Sequence, residues 1–386
     1  MGWERTKATT EELPPEPSFV GWLFAGGVAV VVGVLLFILH ASGLVKALTV
    51  FNIWWLVSSP LLGWFFLFCL RGWLWGRTVD EHHFLLKEAE YAQHQWETWA
   101  GRYLAVLGSC ILLPSGVTSA AIAKSEASDV PQLLSLTSHF DAQSVTSSSL
   151  LELGLAGVQN AIAIIPATVP LNITVISDTV FSDSESLFRK AWGNIYPDRT
   201  ISGSVSFCEK LPFSWVEERL KNPVLDIDLI LILQKDGAEQ YSDALASMLL
   251  TSDDVAEKYQ LPRSACILRP MPLDMAHFKA DLGLFLETQK IAGETSKVFC
   301  DYGQWNNRFA ELMTASESHQ TPWVTQEIDV LEKYHGILGE GSAWLLAALL
   351  SELTFICQAP VLGLFTSGTD RFVSTVTSGS YNNDAG

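Results

Sequence analysis

Two histidines and a glutamate recur at helical spacing in the segment DEHHFLLKEAEYAQHQWETW, residues 80–99. His83, Lys87, Glu90 and His94 follow one another at intervals of four, three and four, so a helix places them on one face. Imidazole nitrogens and a carboxylate are metal ligands, and histidine also titrates near neutral pH. A solvated polar face with a contact between Glu90 and His94 is the simpler interpretation of the same spacing.

A second group of titratable residues lies near the start of a predicted strand, in a region that also carries Trp192 and Trp215. Paired carboxylates can perform acid–base chemistry or bind a divalent cation. The four carboxylates are Glu217, Glu218, Asp226 and Asp228. The intervening Lys-Asn-Pro at 221–223 favours a turn, which is typical of helix-terminal charges and a solvated loop.

Three further stretches share a pattern of small residues next to a polar residue. They are TSSSLLELGLA at 146–156, YSDALASMLL at 241–250, and His335-Gly336 followed by residues 339–350. In this order they resemble the ketosynthases of the thiolase-like fold, in which a cysteine at a buried helix N-terminus takes the position of Thr146. Thr146 cannot form a thiolate, and a second histidine motif is missing. The resemblance therefore implies a degenerate copy with Thr146 and His335 as its site residues, although small-residue helices occur in many α/β cores.

The start of the chain contains two uncharged apolar runs, residues 18–39 and 47–70, each long enough to cross a bilayer of about 30 Å as a helix. Positive residues flank the pair on its outer sides, and only Lys46 lies between the runs; the flanking residues are Arg5, Lys7, Arg71, Arg77 and Lys87. Because positive flanks stay in the cytoplasm, we expect a two-pass anchor with both termini cytoplasmic. Gly26, Gly27 and Gly33 leave the first span slim, which suits either self-association into a homo-oligomer or packing against the second span.

After the anchor, short apolar runs alternate with helical stretches, which is typical of a layered α/β domain with a mixed sheet. We expect strands at 103–113, 172–177, 204–208, 228–233, 265–268, 361–365 and 372–376, and buried helices at 147–165 and 342–357. Capping boxes are predicted for Ser182 with Glu185 and for Ser214 with Glu217. The expected organisation is a cytoplasmic tail at 1–17, a membrane hairpin at 18–70, a stalk helix at 71–101, a cytoplasmic body of one domain or two lobes at 102–376, and a disordered tail at 377–386.

Net charge, cysteine content and missing motifs argue against several classes of function. The formal net charge of −18 argues against a nucleic-acid partner, and six scattered cysteines without a CxxC pair suit reduced thiols. The sequence contains no phosphate-binding Gly-x-x-x-x-Gly-Lys, no Gly-x-Ser-x-Gly elbow and no His-Glu-x-x-His, so we expect no cofactor and no ordinary hydrolase chemistry.

The layout of hairpin followed by WETWAGRYLAVLGS, residues 96–109, resembles inner-membrane accessory proteins of type VI secretion loci. It implies a scaffold or adaptor that is anchored in the bacterial inner membrane and recruits a protein partner there, such as a secretion-system component or effector. The alternative is an enzyme of thiolase-like fold that transfers acyl groups or acts on lipids at the membrane. Convergence of Thr146, His335 and either Cys208 or Cys300 in one apolar pocket would favour the enzyme.

Overall fold

The computed structural model describes residues 2–5, 12–13, 15–43, 45, 47–127, 147–178, 184–235, 237 and 239–382. The chain divides into two compact units, one of Thr6–His94 and the other of Met1–Arg5 with Gln95–Gly386. The α-helices of the described residues are α1 Phe19–Ser42, α2 Ile53–Ala100, α3 Ser119–Ala123, α4 Ser147–Gly157, α5 Gln159–Ile164, α6 Ser184–Ile195, α7 Trp215–Lys221, α8 Asp253–Lys258, α9 Phe278–Thr288, α10 Phe309–His319, α11 Glu332–His335 and α12 Ser342–Cys357.

Helix α1 and the first part of α2 pack against each other within the smaller unit. Both helices are long and apolar enough to cross a membrane. The indole Nε1 of Trp64 donates a 2.9 Å hydrogen bond to the carbonyl of Trp22. A Cβ at Gly26 would lie 3.0 Å from the Trp64 ring, and one at Gly33 would lie 2.8 Å from the Val57 carbonyl oxygen. These two glycines therefore serve the contact between the helices, whereas Gly27 faces open space.

The stalk and the second apolar run belong to one helix, since α2 continues for 48 residues from Ile53 to Ala100 and contains Pro60. A proline inside a helix leaves the carbonyl four residues earlier without its usual donor. Here that carbonyl belongs to Leu56, and the hydroxyl of Ser59 donates a 2.9 Å hydrogen bond to it. The serine beside the proline thus supplies the donor that the apolar surroundings would not provide.

The larger unit is built on one mixed sheet of eleven strands among the described residues. Its strands are β1 Tyr103–Leu112, β2 Leu171–Ser177, β3 Val205–Cys208, β4 Ile227–Gln234, β5 Ala244–Ser252, β6 Ala265–Leu268, β7 Met271–Pro272, β8 Lys297–Cys300, β9 Ile328–Val330, β10 Val361–Ser367 and β11 Asp370–Ser378. They lie in the order β3-β2-β4-β5-β1-β6-β11-β10-β8-β9, with β7 paired to β11. The pairs β2–β3, β2–β4, β8–β9 and β8–β10 are parallel, and the pairs around β1, β5 and β11 are antiparallel.

Helices cover both faces of this sheet. Along β1, Leu104 and Val106 join the apolar cluster around α12, whereas Tyr103, Ala105 and Leu107 join the cluster around α4 and α6. Alternation of this kind follows from the two-residue period of a strand. A third cluster, formed by α9, α10 and the end of α2, takes Leu362 and Leu364 of β10. The larger unit is therefore a layered α/β body, as expected.

Several local expectations were wrong. The helix expected at 147–165 is two helices that separate at Val158. The capping box at Ser214 does not form, because Ser214 has helical dihedrals (φ −57, ψ −18) and makes no side-chain cap bond. Glu217 pairs with Arg269 instead, at 2.8 Å. Ser182, of the other predicted box, lies outside the described residues.

Candidate active site

His335 ends the short helix α11 and has no exposed surface. Burial lowers its pKa to about 4, and the backbone of Ile337 opposes that shift only in part. Neither ring nitrogen has a well-formed hydrogen-bond partner among the described groups. At neutral pH the imidazole is therefore uncharged, with one N–H to donate and one lone pair to offer. The next residue, Gly336, turns the chain with a positive φ of 84°, which side chains rarely allow.

The loop after Gly336 packs on the second ketosynthase-like stretch. The amide of Ser242 donates a 2.8 Å hydrogen bond to the carbonyl of Ile337. A Cβ at Gly339 would lie 2.8 Å from the Gln234 side-chain amide and 3.1 Å from the Tyr241 ring, so the loop packs closely on both residues. Gln234 supports the loop from β4: its side-chain oxygen, correctly oriented, accepts from the amides of Gly341 at 3.1 Å and Glu340 at 3.3 Å.

The first ketosynthase-like stretch, residues 146–156, packs against β5. A Cβ at Gly154 would lie 2.7 Å from Leu231 of β4 and 3.3 Å from Leu245 of β5. One at Gly157, just after the stretch, would lie 2.5 Å from Cys110 of β1 and 3.6 Å from Ser247 of β5. Because residues 244–250 form part of β5, the three stretches that share the resemblance meet around one strand. Thr146, immediately before α4, lies outside the described residues.

A cleft of about 470 Å³ opens beside the loop, within the size range of small-molecule sites. Its lining consists of Gln240, Tyr241, Tyr302, Leu338, Gly339, Glu340, Ser342, Thr366 and Gly368. The phenol of Tyr302 donates to the Gly339 carbonyl at 3.2 Å, and that of Tyr241 donates to Asp178 at 3.0 Å. The cleft therefore offers two tyrosine hydroxyls close to the chain that follows His335.

A buried carboxylate fixes one wall of this cleft. Asp301 accepts hydrogen bonds from the Trp305 indole at 2.9 Å, the Thr366 hydroxyl at 3.0 Å and the Tyr302 amide at 2.8 Å, and also from the Thr366 amide. Burial raises its pKa, and these hydrogen bonds act in the opposite direction. Through them Asp301 positions both Tyr302 and Thr366 at the cleft.

Neither cysteine of the enzyme hypothesis lines the cleft. Cys300, on β8, belongs to the cluster of α9 and α10, and burial raises the pKa of its thiol. Cys208, on β3, packs against the cluster around α12, and burial raises its pKa as well. Neither thiol is activated, because a reactive cysteine needs a lowered pKa.

The acidic residues near Trp215 are engaged by arginines. Arg219 pairs with Asp226 and, at 2.6 Å, with Asp228. Burial raises the pKa of Asp228 to about 6, although Arg219 opposes this shift. Glu217 binds Arg269, and Glu218 is exposed. These partners leave the carboxylates arranged as ion pairs rather than as a catalytic pair.

The two tryptophans of that region have structural roles. Trp192 is buried, its ring centroid lies 4.5 Å from that of Tyr196 in a tilted arrangement, and its indole donates a hydrogen bond to the Arg199 carbonyl at 2.7 Å. Trp215 lies under the guanidinium of Arg219 at 5.8 Å.

No three histidine, cysteine or acidic side chains of the described residues are placed to hold a metal ion. His83, Glu90 and His94 all lie on α2 and are described, so the structure does not gather them into such a site.

Sequence reasoning singled out His335 but missed Tyr241, Tyr302 and Asp301. Tyr241 was visible only as the first residue of a small-residue stretch. Tyr302 and Asp301 follow β8, a strand of four residues that carries no alternation by which to recognise it.

Comparison with known proteins found similarity only among solved structures. No family model matches the chain, and no curated protein matches it. A type II polyketide ketosynthase in complex with its acyl-carrier protein, AntDE:AntF, is similar over 72% of this chain and 99% of its own, at 12% identity and a TM-score of 0.49. OleA from Xanthomonas campestris is similar over 72% of this chain and 99% of its own, at 10% identity and a TM-score of 0.42. Another OleA structure, with bound lauric acid and lauroyl-CoA, gives 13% identity and a TM-score of 0.41.

Proposed function

We propose that this chain is a membrane-associated enzyme of thiolase-like fold that acts on acyl or lipid substrates in the cleft beside Tyr241 and Tyr302. The observation that carries the proposal is the meeting of the three ketosynthase-like stretches around β5. They are separated by many residues in the chain, yet a Cβ at Gly339 would lie 3.1 Å from the Tyr241 ring, and one at Gly154 would lie 3.3 Å from Leu245.

The chemistry follows from the uncharged state of His335. A neutral imidazole donates a hydrogen bond without giving up its proton, which suits stabilisation of negative charge on the oxygen of an acyl carbonyl. His335 has no exposed surface and does not line the cleft, so this role requires a movement that brings its ring to the cleft. Helix α12 begins at Ser342, on the cleft wall, and the positive end of its dipole favours negative charge at the same place. Thr146 is the hydroxyl group that precedes α4, and it would be the group nearest to the role of nucleophile.

The anchor fits this activity. Two apolar helices would hold the body at a bacterial inner membrane, with both termini in the cytoplasm. Acyl chains and lipids are concentrated in that membrane. The body would then meet its substrate in the same membrane environment.

The test uses the full-length chain in lipid nanodiscs, supplied separately with a radiolabelled long-chain acyl thioester and with labelled phospholipid. We expect turnover of one of them, and a loss of about 100-fold or more for His335→Asn if it stabilises an oxyanion. His277→Asn is the matched control, since His277 is exposed and bonds only to Asp274 among its described side-chain contacts. Absence of turnover with both substrates would contradict the enzyme.

An adaptor without catalysis is the second candidate, and the cysteines favour it. Neither Cys208 nor Cys300 lines the cleft, and Thr146 is a poor nucleophile. Such an adaptor would recruit a protein partner, which the resemblance to type VI secretion accessory proteins suggests is a secretion component or effector. Co-purification from native membranes with the parent, Thr146→Ala and His335→Asn should then recover the same partner in all three, whereas recovery of no partner would exclude the adaptor.

A further inference from the structure

The first residues of the chain are docked on the body. Trp3 is only 8% exposed and lies in the cluster of α9 and α10. Its ring is 5.2 Å from that of Trp99 in an edge-to-face arrangement and 5.6 Å from that of Phe285. Aromatic pairs at such distances attract one another beyond the gain from burial alone.

The contacts of the neighbouring residues follow one face of α9. A Cβ at Gly2 would lie 3.0 Å from the carboxylate of Asp281, so Gly2 sits directly against that side chain. Arg5 donates a 2.7 Å hydrogen bond to the hydroxyl of Thr288. Positions 281, 285 and 288 are spaced by four and three residues and therefore form one stripe on the helix. Residues 2–5 thus run along α9 with three consecutive attachments.

We infer that residues 2–5 are a strap that closes the membrane segment into a loop, with both ends of that loop fixed to the same face of the body. The chain leaves the body after Arg5 and rejoins it at Gln95. Both apolar helices begin within this interval. Since the strap and the body share one side of the bilayer, the interval must cross the membrane an even number of times. This argument is independent of the charges that flank the spans.

One feature of the strap indicates how to loosen it without disturbing the body. The indole Nε1 of Trp3 is buried and has no hydrogen-bond partner among the described groups. A buried donor without a partner opposes docking, so phenylalanine at this position keeps an aromatic ring and removes the unpaired N–H. Trp3→Phe should therefore retain the strap, whereas Trp3→Ala should release it.

Crosslinking of the full-length chain measures docking directly. Gly2→Cys with Asp281→Cys places two thiols at a separation that a disulfide can bridge. A protease site inserted after Gly43 then reports the crosslink, because the two fragments remain together on a non-reducing gel only when the disulfide has formed. Gly2→Cys with Lys279→Cys is the matched control, since Lys279 is an exposed residue of the same helix.

We expect near-complete crosslinking at 281 in the parent and in Trp3→Phe, and a reduction of at least fivefold in Trp3→Ala and in the control pair. Equal crosslinking with Trp3→Ala, or none in the parent, would overturn the strap.

Labelling with a membrane-impermeant maleimide in sealed vesicles tests the topology separately. The exposed Cys357 and a cysteine introduced at the exposed Glu12 should react together or be protected together. Labelling of one without the other would overturn the even number of crossings.

Discussion

The guanidinium of Arg269 lies 4.1 Å from the ring centroid of Trp99 and donates a 2.9 Å hydrogen bond to the carbonyl of that residue. Gln289 donates a second bond, also of 2.9 Å, to the carbonyl of Ala100. The last carbonyls of a helix have no partners within it. Two side chains of the body therefore fix the end of α2, so the final turn of this long helix is part of the core.

Replacement of Arg269 should unfold this junction. The side chain is 2% exposed and also pairs with Glu217 at 2.8 Å, so Arg269→Met leaves a carboxylate without its main partner. Loss of one member of a buried pair costs about 3 kcal/mol or more. Urea denaturation should show that loss in the free energy of unfolding. Arg371→Met, which removes an exposed group bonded to local carbonyls, should change it by less than about 0.5 kcal/mol.

His335 should make the body less stable in acid. Its folded pKa of about 4 lies below the ordinary 6.5, so the unfolded chain binds the proton more tightly. The contribution is fully present above pH 6.5 and is lost as the pH falls towards 4, by roughly 3 kcal/mol. In His335→Leu that loss should disappear from the curve of unfolding free energy against pH. An unchanged curve would show that the ring is already protonated or solvated in the folded state.

Asp228 should act in the opposite direction over nearly the same range. Its folded pKa of about 6 exceeds the ordinary 3.8, so the folded chain binds the proton more tightly. Its contribution is present below pH 3.8 and is lost as the pH rises through 6, by about 3 kcal/mol. Asp228→Asn also weakens the pair with Arg219, which lowers the whole curve, but the slope between pH 4 and 6 should become more positive than in the parent. Parallel curves would contradict this assignment.

The packing of the apolar helices gives a further prediction. Gly33→Leu places a side chain where the Val57 carbonyl oxygen lies 2.8 Å from the Cβ position, whereas Gly27→Leu points into open space. We expect the first variant to lose about 1 to 3 kcal/mol of stability in detergent and the second to lose little. Thermal unfolding followed by tryptophan fluorescence measures both. Equal behaviour of the two variants would show that the helices do not pack through Gly33.

Strand predictions such as 265–268 and 361–365 were correct. These segments contain several apolar residues and are bounded by polar or turn residues. Strand β5 was missed because ALASMLLTS is buried at every position, so it has no alternation and its small residues favour a helix. The pair of glycines at 154 and 157 was visible as a small-residue helix, but its partner surface on β5 was not. The glycines of a helix can be identified in the sequence, but the element that they contact cannot.

The candidate site was predictable only in part for a related reason. His335 was noticed through the residues beside it in the chain, whereas Tyr241, Asp301 and Thr366 come together through the order of the strands. Asp301 resembles any acidic residue after a strand until its donors are known, and those donors come from Thr366, 65 residues away, as well as from Tyr302 and Trp305. Pairings between distant residues leave no local periodicity to detect.

The hydrogen bonds to Asp301 make one wall of the cleft more rigid than the other. Tyr302 and Thr366 share a single carboxylate, so neither can shift without breaking bonds that the buried charge needs. The opposite wall is the segment from Gly336 to Gly341, which holds three glycines and is joined to Tyr302 by the 3.2 Å hydrogen bond to the Gly339 carbonyl. Any widening of the cleft to admit a bulky chain must therefore move the glycine-containing wall and break its hydrogen bond with Tyr302, and this wall begins directly after His335.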